Sequence, residues 1–173
     1  MKTGTLAGVL ALVACGPDLP PALGDRVTDS ALEVVEGSGS EWVIGKRLAL
    51  SELEGKPVVL DFWASWCGAC ALQHQYVAEL EATYGERIEV LGVLFDDTPE
   101  NGRVWLQKQG ATYPTVLELG QDLADEFWLR GLPYFVLLTP DRRLSWDFLG
   151  VATGPNSPNH DSVTARLEAM LGS

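Results

Sequence analysis

Cys67-Gly68-Ala69-Cys70 joins two stretches of opposite character, and that junction restricts the folds open to the chain more than any other feature. Ahead of it, Val58–Trp63 is apolar except at Asp61, which suits a central strand covered on both faces. Behind it, the run from Cys67 to Tyr84 reads as a helix. Leu72, Tyr76, Leu80 and Tyr84 recur at four-residue spacing, and Gly85 is a helix stop. A strand that feeds a helix through Cys-x-x-Cys puts Cys67 at the helix N-terminus and Cys70 one turn later on the same face.

The remaining pattern alternates. Ile88–Phe95 is a second buried strand; Thr98-Pro99 opens a helix that runs to about Gln109 before Gly110. Thr115–Leu119 reads as a short strand and Asp122–Leu129 as a short helix. Tyr134–Thr139 and Leu144–Leu149 flank the turn Pro140-Asp141-Arg142-Arg143 as a hairpin. Residues 153–160 read as a Gly/Pro/Asn-rich loop and Ser162–Leu171 as the last helix. Upstream, Ala31–Val35 and Glu41–Ile44 around Gly37-Ser38-Gly39-Ser40 predict an N-terminal hairpin. Early strand–helix–strand units imply parallel strands and the late hairpin adds antiparallel ones. The expected fold is therefore α/β, a mixed central sheet flanked by helices on both faces, with an N-terminal hairpin extension.

The chain has a second kind of N-terminal signal. Lys2 precedes the apolar run Leu6–Ala14, which is too short to span a bilayer and has the length of a signal-peptide core. It ends at Leu12-Val13-Ala14-Cys15-Gly16, which resembles a bacterial lipobox. The expected organisation is a lipoprotein-type signal peptide over 1–14, cleaved before Cys15, a Pro/Gly-bearing tether over 15–30, and a folded domain over 31–173. The alternative is an ordinary secretory signal with a chance cysteine. The formal charge of −12 becomes −13 once Lys2 is lost, which speaks against nucleic acid or an anionic lipid surface as partners.

Of three cysteines, Cys15 is the expected lipid anchor, which leaves Cys67 and Cys70 as an even pair in an oxidising compartment. Zinc takes about four ligands, and only Cys15, His74 and His160 remain to complete a set, with no metal-ligand spacing; no metal is expected. A purely structural disulfide would close too short a loop to remove much entropy from the unfolded chain. Redox exchange fits better. Backbone N–H groups at a helix N-terminus stabilise a thiolate, the species that attacks a disulfide, and a second cysteine one turn on can resolve the mixed disulfide. Asp61, a carboxylate inside an apolar strand, is costly unless it is paired, protonated or useful; the alternative is a structural hydrogen bond. His74, four residues after Cys70 on the same helical face, reads as a surface histidine; the alternative is that it tunes the thiols or contacts a partner.

Asp61-Phe62-Trp63-Ala64-Ser65-Trp66-Cys67-Gly68-Ala69-Cys70 resembles the active-site segment of thioredoxins. Gly45-Lys46 and Leu50-Ser51-Glu52-Leu53-Glu54-Gly55-Lys56-Pro57 ahead of it resemble the membrane-tethered TlpA/ResA/CcmG branch, and the likeness spans about residues 40–170. It implies a thioredoxin fold with Cys67 and Cys70 as the reactive pair. It also implies that Asp61 is a proton shuttle for the buried cysteine, its carboxyl raised by burial. Arg130-Gly131-Leu132-Pro133-Tyr134-Phe135 is similar to the family loop in which a cis-proline faces the cysteines; by that likeness Pro133 is cis and the Leu132 backbone pairs with an extended substrate segment. The residues alone give only a turn before a strand. Trp66, Gly68 and Ala69 would line the substrate surface and Trp63 the core; Asp96 or Asp97, their register left open, would stand near the site or form a solvated acidic turn. Two departures stand out: Ala69 and Gln75 occupy positions where many relatives carry proline.

The resemblance implies an exported thiol–disulfide oxidoreductase, a lipoprotein on the periplasmic or cell-envelope face. It would reduce disulfides of exported proteins such as apocytochrome c, with electrons from a membrane thiol donor of the DsbD/CcdA type. No nicotinamide or flavin motif is present, so no cofactor is expected. An oxidase or isomerase would use the same pair in other directions. A peroxiredoxin-like activity would need its cysteine in a Thr/Pro-rich pocket. The reading of another class is a non-enzymatic thioredoxin-fold protein that binds a partner or a metal.

Overall fold

The computed structural model describes residues 20–36, 43–110, 113–152 and 154–172. Its centre is β3 (Val58–Trp63), all six residues of which are buried. β3 lies parallel to β4 (Glu89–Leu94) on one side and antiparallel to β6 (Tyr134–Leu138) on the other. Around these, β1 (Ala31–Glu36), β2 (Arg47–Ala49), β5 (Thr115–Glu118) and β7 (Leu144–Leu149) complete a seven-stranded mixed sheet of order β2-β1-β5-β4-β3-β6-β7.

Alternation along the strands divides the core. Leu60, Phe62, Leu91, Val93 and Val136 face α3 (Asp122–Glu126) and a 3-10 turn at Leu50–Leu53, meeting Leu50, Leu123 and Phe127. Val59, Val90, Phe135 and Leu137 face α1 (Cys70–Tyr84) and α4 (Pro158–Leu171), against Val77, Leu80, Val163 and Leu167. On this second face α2 (Pro99–Gln109) covers the cysteine end, with Leu106 packed on Trp63 and Leu94. Helices thus cover both faces, as expected.

Several boundaries move. β1 pairs with Arg47–Ala49 instead of Glu41–Ile44. Residues 37–42 lie outside the described residues, while Val43 and Ile44 are exposed and belong to a turn in which Gly45 takes φ +80°. Leu48, opposite Leu32, is the buried residue that fixes the register. α1 starts at Cys70 rather than Cys67, after two turns closed by Cys67 N to Ala64 O and Cys70 N to Cys67 O. Leu72 is exposed; the buried face runs through Cys70, Gln73, His74, Val77, Leu80 and Tyr84. α3 stops at Glu126 because Trp128 adopts φ +48°. α4 begins at Pro158, inside the expected loop, because the Ser157 hydroxyl accepts from His160 N and proline suits the first helical position.

The signal-peptide stretch 1–14 and Cys15 lie outside the described residues. So does the first part of the expected tether, whereas Gly24–Ser30 is laid on the domain. Gly24 N donates to Leu144 O, Val27 N to Arg142 O, Arg26 bridges to Arg143, and Val27 is buried.

Candidate active site

Cys67 and Cys70 form a disulfide where the chain leaves β3 and enters α1. Cys67 is 7% exposed and Cys70 fully buried, so a partner reaches the Cys67 sulfur first. Trp63, Ala64, Leu94 and Leu106 pack around the pair. Trp66, Gly68 and Ala69 lie exposed around Cys67, and the space above the Gly68 Cα is open.

The loop after β4 fixes the residues just ahead of Cys67. Ser65 N donates to Asp97 Oδ2 at 2.7 Å, and the Trp66 indole N–H donates to Asp96 O at 3.0 Å. Asp97 Oδ1 also accepts from Thr98 N and the Asn101 amide. Partial burial raises the Asp97 carboxyl, but these bonds outweigh it and hold the group below the usual carboxylate range. The sequence left the register of these aspartates open; the structure gives them separate tasks, Asp97 by its carboxylate and Asp96 by its carbonyl.

The Leu132–Pro133 peptide is cis, and Leu132 packs against the cluster that holds both cysteines. Leu149 stands exposed beside Gly131, where an added Cβ would come within 3.2 Å of its Cδ1. Trp66, one residue before Cys67, and Leu149, paired with Tyr134 beside Pro133, are both exposed apolar side chains.

Behind the cysteines the sheet face turns polar. Asp61 is fully buried, and its Oδ2 accepts from the Tyr113 hydroxyl at 2.9 Å. The same hydroxyl lies 2.6 Å from His74 Nδ1. Burial pushes the Asp61 carboxyl up to about 7, against the opposing effect of the Tyr113 hydrogen bond. Burial also pulls His74 down to about 4, so its ring is neutral near pH 7. Tyr113 is held well above the ordinary phenol value, first by burial and then by the neighbouring Asp61 charge.

Trp63 stacks on Trp105 with ring centroids 4.5 Å apart, and His74 meets Trp105 edge-on. Gly92, the β4 neighbour of Asp61, makes room for this arrangement: a Cβ there would stand 2.7 Å from Thr115 Oγ1 and 2.8 Å from Trp63 Nε1. The expectation of a surface position for His74 is thus overturned, because the true helix face is rotated from the one marked by Leu72. Tyr113 escaped the sequence reading altogether. It precedes β5 in an irregular stretch with no periodicity, and its partners are 39 and 52 residues away. Among the described residues, no cluster of three His, Cys, Asp or Glu side chains is placed to hold a metal ion.

Comparison with known proteins accords with this architecture. The pattern of the Redoxin family matches residues 24–164. The chain belongs to the redoxin family. Within curated proteins, this redoxin is 28% identical over 110 residues to the thiol-disulfide oxidoreductase ResA of Bacillus thuringiensis, a match covering 63% of the chain and 64% of that relative. It is 26% identical over 147 residues to ResA of Bacillus subtilis, covering 79% of each. The match thus spans a little under two thirds of the first relative's length. Among solved structures, the thioredoxin domain of a thiol-disulfide oxidoreductase from Bacteroides vulgatus superposes with a TM-score of 0.69 at 18% identity, over 84% of this chain and 98% of that one. The fold is the thioredoxin fold.

Proposed function

We propose that this redoxin is a thiol–disulfide oxidoreductase of the cell-envelope face that reduces disulfides in exported proteins, apocytochrome c being the substrate class implied by its likeness to the TlpA/ResA/CcmG branch. The observation that carries the reading is the disulfide at the start of α1, its first cysteine 7% exposed and its second fully buried, with a buried carboxylate, Asp61, on the strand that leads into it. The ResA names of the curated relatives support the activity; the apolar run ending at Cys15 supports export and a lipid anchor.

In the reduced protein the Cys67 thiolate attacks a substrate disulfide. An S–S bond forms between Cys67 and the substrate, and the other substrate sulfur leaves as a thiolate that takes up a proton. Asp61 accepts the Cys70 proton, and the Cys70 thiolate then attacks Cys67 Sγ, which frees the second substrate thiol. Two electrons pass from the dithiol to the substrate and the protein is left as the disulfide. A membrane dithiol donor of the DsbD/CcdA type reverses these steps on Cys67. The edge at Leu132 and cis-Pro133 receives an extended substrate segment, and Trp66, Gly68 and Ala69 form the contact surface around the attacking sulfur.

Two measurements test this. A Cys70→Ser variant should accumulate a mixed disulfide through Cys67; failure to trap any partner, with reduced protein substrates and oxidised ones alike, would return the protein to the binding-module class. The reduction potential of the pair should lie near or below about −250 mV, toward the thioredoxin end of the known range. A value near roughly −120 mV would instead mark a disulfide-forming oxidase.

A further inference from the structure

Asp61, Tyr113 and His74 are joined through one phenolic oxygen, and the proton count at that oxygen has a consequence. All three side chains are buried, and Tyr113 Oη is within hydrogen-bond distance of both Asp61 Oδ2, at 2.9 Å, and His74 Nδ1, at 2.6 Å. The hydroxyl carries one proton, so the two contacts are both hydrogen bonds only when a second proton lies on the other one. Three arrangements with a neutral imidazole satisfy this; one of them, Asp61 protonated on Oδ1 with the phenol still donating to Oδ2 and Nδ1–H to Oη, leaves the ring unchanged, and the other two differ in tautomer. With Asp61 charged, the phenol donates to Oδ2, Nδ1–H donates to Oη, and Nε2 is bare. With Asp61 protonated on Oδ2, the carboxyl donates to Oη, the phenol donates to Nδ1, and the ring proton sits on Nε2.

We infer that Tyr113 and His74 form a proton relay to Asp61, in which the carboxylate takes up its proton on Oδ2, the oxygen that Tyr113 contacts, and the histidine exchanges its Nδ1–H for an Nε2–H as it does so. The balance is one proton in, taken from solvent in the oxidised protein and from the Cys70 thiol in the reduced one. It binds Nε2, the Nδ1 proton moves to Oη, and the phenolic proton moves to Oδ2; release runs the same path backwards. His74 Nε2 and Asp61 Oδ1, the outer ends of the chain, have no hydrogen-bond partner among the described residues. His74 sits one helical turn beyond Cys70, so the relay ties the strand that carries the carboxylate to the helix that carries the buried sulfur. In this role Tyr113 and His74 are positioning residues that act through Asp61, and the functional part of the inference rests on the acid–base role proposed for Asp61 above.

The surroundings leave few other charges to confuse the assignment. α1 contributes His74, Cys70 and Glu81, whose charge acts on Tyr113, and the turn ahead of it Cys67; β4 presents Gly92, and β5 the Thr115 hydroxyl. Burial holds the carboxyl near 7 and the imidazolium near 4, so the shared proton favours the carboxylate over the ring.

The experiment uses oxidised protein, in which neither cysteine titrates, labelled with nitrogen-15 histidine. The chain has two histidines, so a His160→Gln variant assigns the ring signals. Between about pH 5 and 9, His74 should stay neutral while its two ring nitrogens trade protonated and bare shifts, at the same midpoint as the carbon-13 signal of the Asp61 carboxyl. In Tyr113→Phe the trade should disappear and the carboxyl midpoint should rise by about one unit or more, because the charged form loses its donor. A single tautomer across that range, or an imidazolium where the carboxyl should be protonated, overturns the relay. The unsubstituted protein decides this even if Tyr113→Phe does not fold. The reduced protein separates the two claims: if the tautomer trade is present but Asp61→Asn leaves the pH profile of disulfide exchange unchanged, the relay stands and the acid–base role of Asp61 falls.

Discussion

The two faces of β3 have the same backbone and opposite purposes. Toward α3, Val58, Leu60 and Phe62 join an apolar cluster whose buried members all carry aliphatic or phenyl side chains, with the ring of Tyr134 edge-on to Phe62. Toward α1, Val59 is followed by Asp61 and Trp63, with Tyr113, His74 and Thr115 around them. One face is close-packed hydrocarbon, whose contribution to stability scales with the area removed from water. The other gives up part of that stabilisation to hold ionisable groups beneath a disulfide. A single strand can serve both ends because its side chains alternate at every residue.

If that division is real, substitutions on the two faces should separate stability from redox behaviour. The largest effect is expected for Phe62→Ala, which should cost about 3–5 kcal/mol in urea unfolding and leave the reduction potential of the cysteine pair unchanged. A shift in potential there would break the comparison.

Next comes Asp61→Asn, read as stability against pH. The folded carboxyl titrates near 7 and the unfolded one near the model value 3.8. Below the unfolded value both states are protonated and there is no cost. As pH rises the unfolded chain ionises first, so the native protein should lose stability relative to the variant until pH passes 7, by at most about 4 kcal/mol. His74 works in the opposite sense, since its lowered value favours the neutral ring and destabilises the fold as pH falls from 6.5 toward 4. That contribution is common to both proteins and drops out of their difference to first order. A flat difference across this window would mean that Asp61 is an ordinary hydrogen-bond acceptor.

Gly92→Ala probes the seam between the faces. Its Cβ would collide with Thr115 Oγ1 and Trp63 Nε1, and overpacking of this kind should cost about 1–3 kcal/mol. Because the clash lies on the polar face, the potential should move as well, which distinguishes it from Phe62→Ala. The smallest change is Thr98→Ala, which removes the side-chain acceptor for Asn101 N at the start of α2 and should cost about 1 kcal/mol in thermal unfolding.

The same division explains what could be read from the sequence. β3, β4 and β6 carry their strand character in nearly continuous apolar runs, interrupted in β3 only at Asp61, and β7 follows β6 across the turn at Pro140–Arg143, so their positions follow from the residue pattern alone. The cysteine pair, Asp61 and the loop at Pro133 announce themselves by residue type and spacing. β2 was misplaced because Val43 and Ile44 look more strand-like than Arg47–Ala49, and only the fit of Leu48 against Leu32 decides. The α1 face was rotated because Leu72 is apolar yet exposed, while Gln73 and His74 are polar yet buried. Gln73 is accommodated because its Oε1 accepts from Ala152 N, far along the chain. Tyr113 reaches Asp61 only through the parallel crossover from β4 to β5, and His74 through the one from β3 to β4, contacts that no local pattern encodes.

The strap at Gly24–Val27 has a directional consequence. It is bound to the turn between β6 and β7, which lies beside Val58 at the start of β3, whereas the cysteines leave from Trp63 at its end. Five residue steps of strand, roughly 16 Å, separate these two poles. The polypeptide therefore joins the domain at the pole remote from the sulfurs, and the face around Cys67 is left clear of that junction.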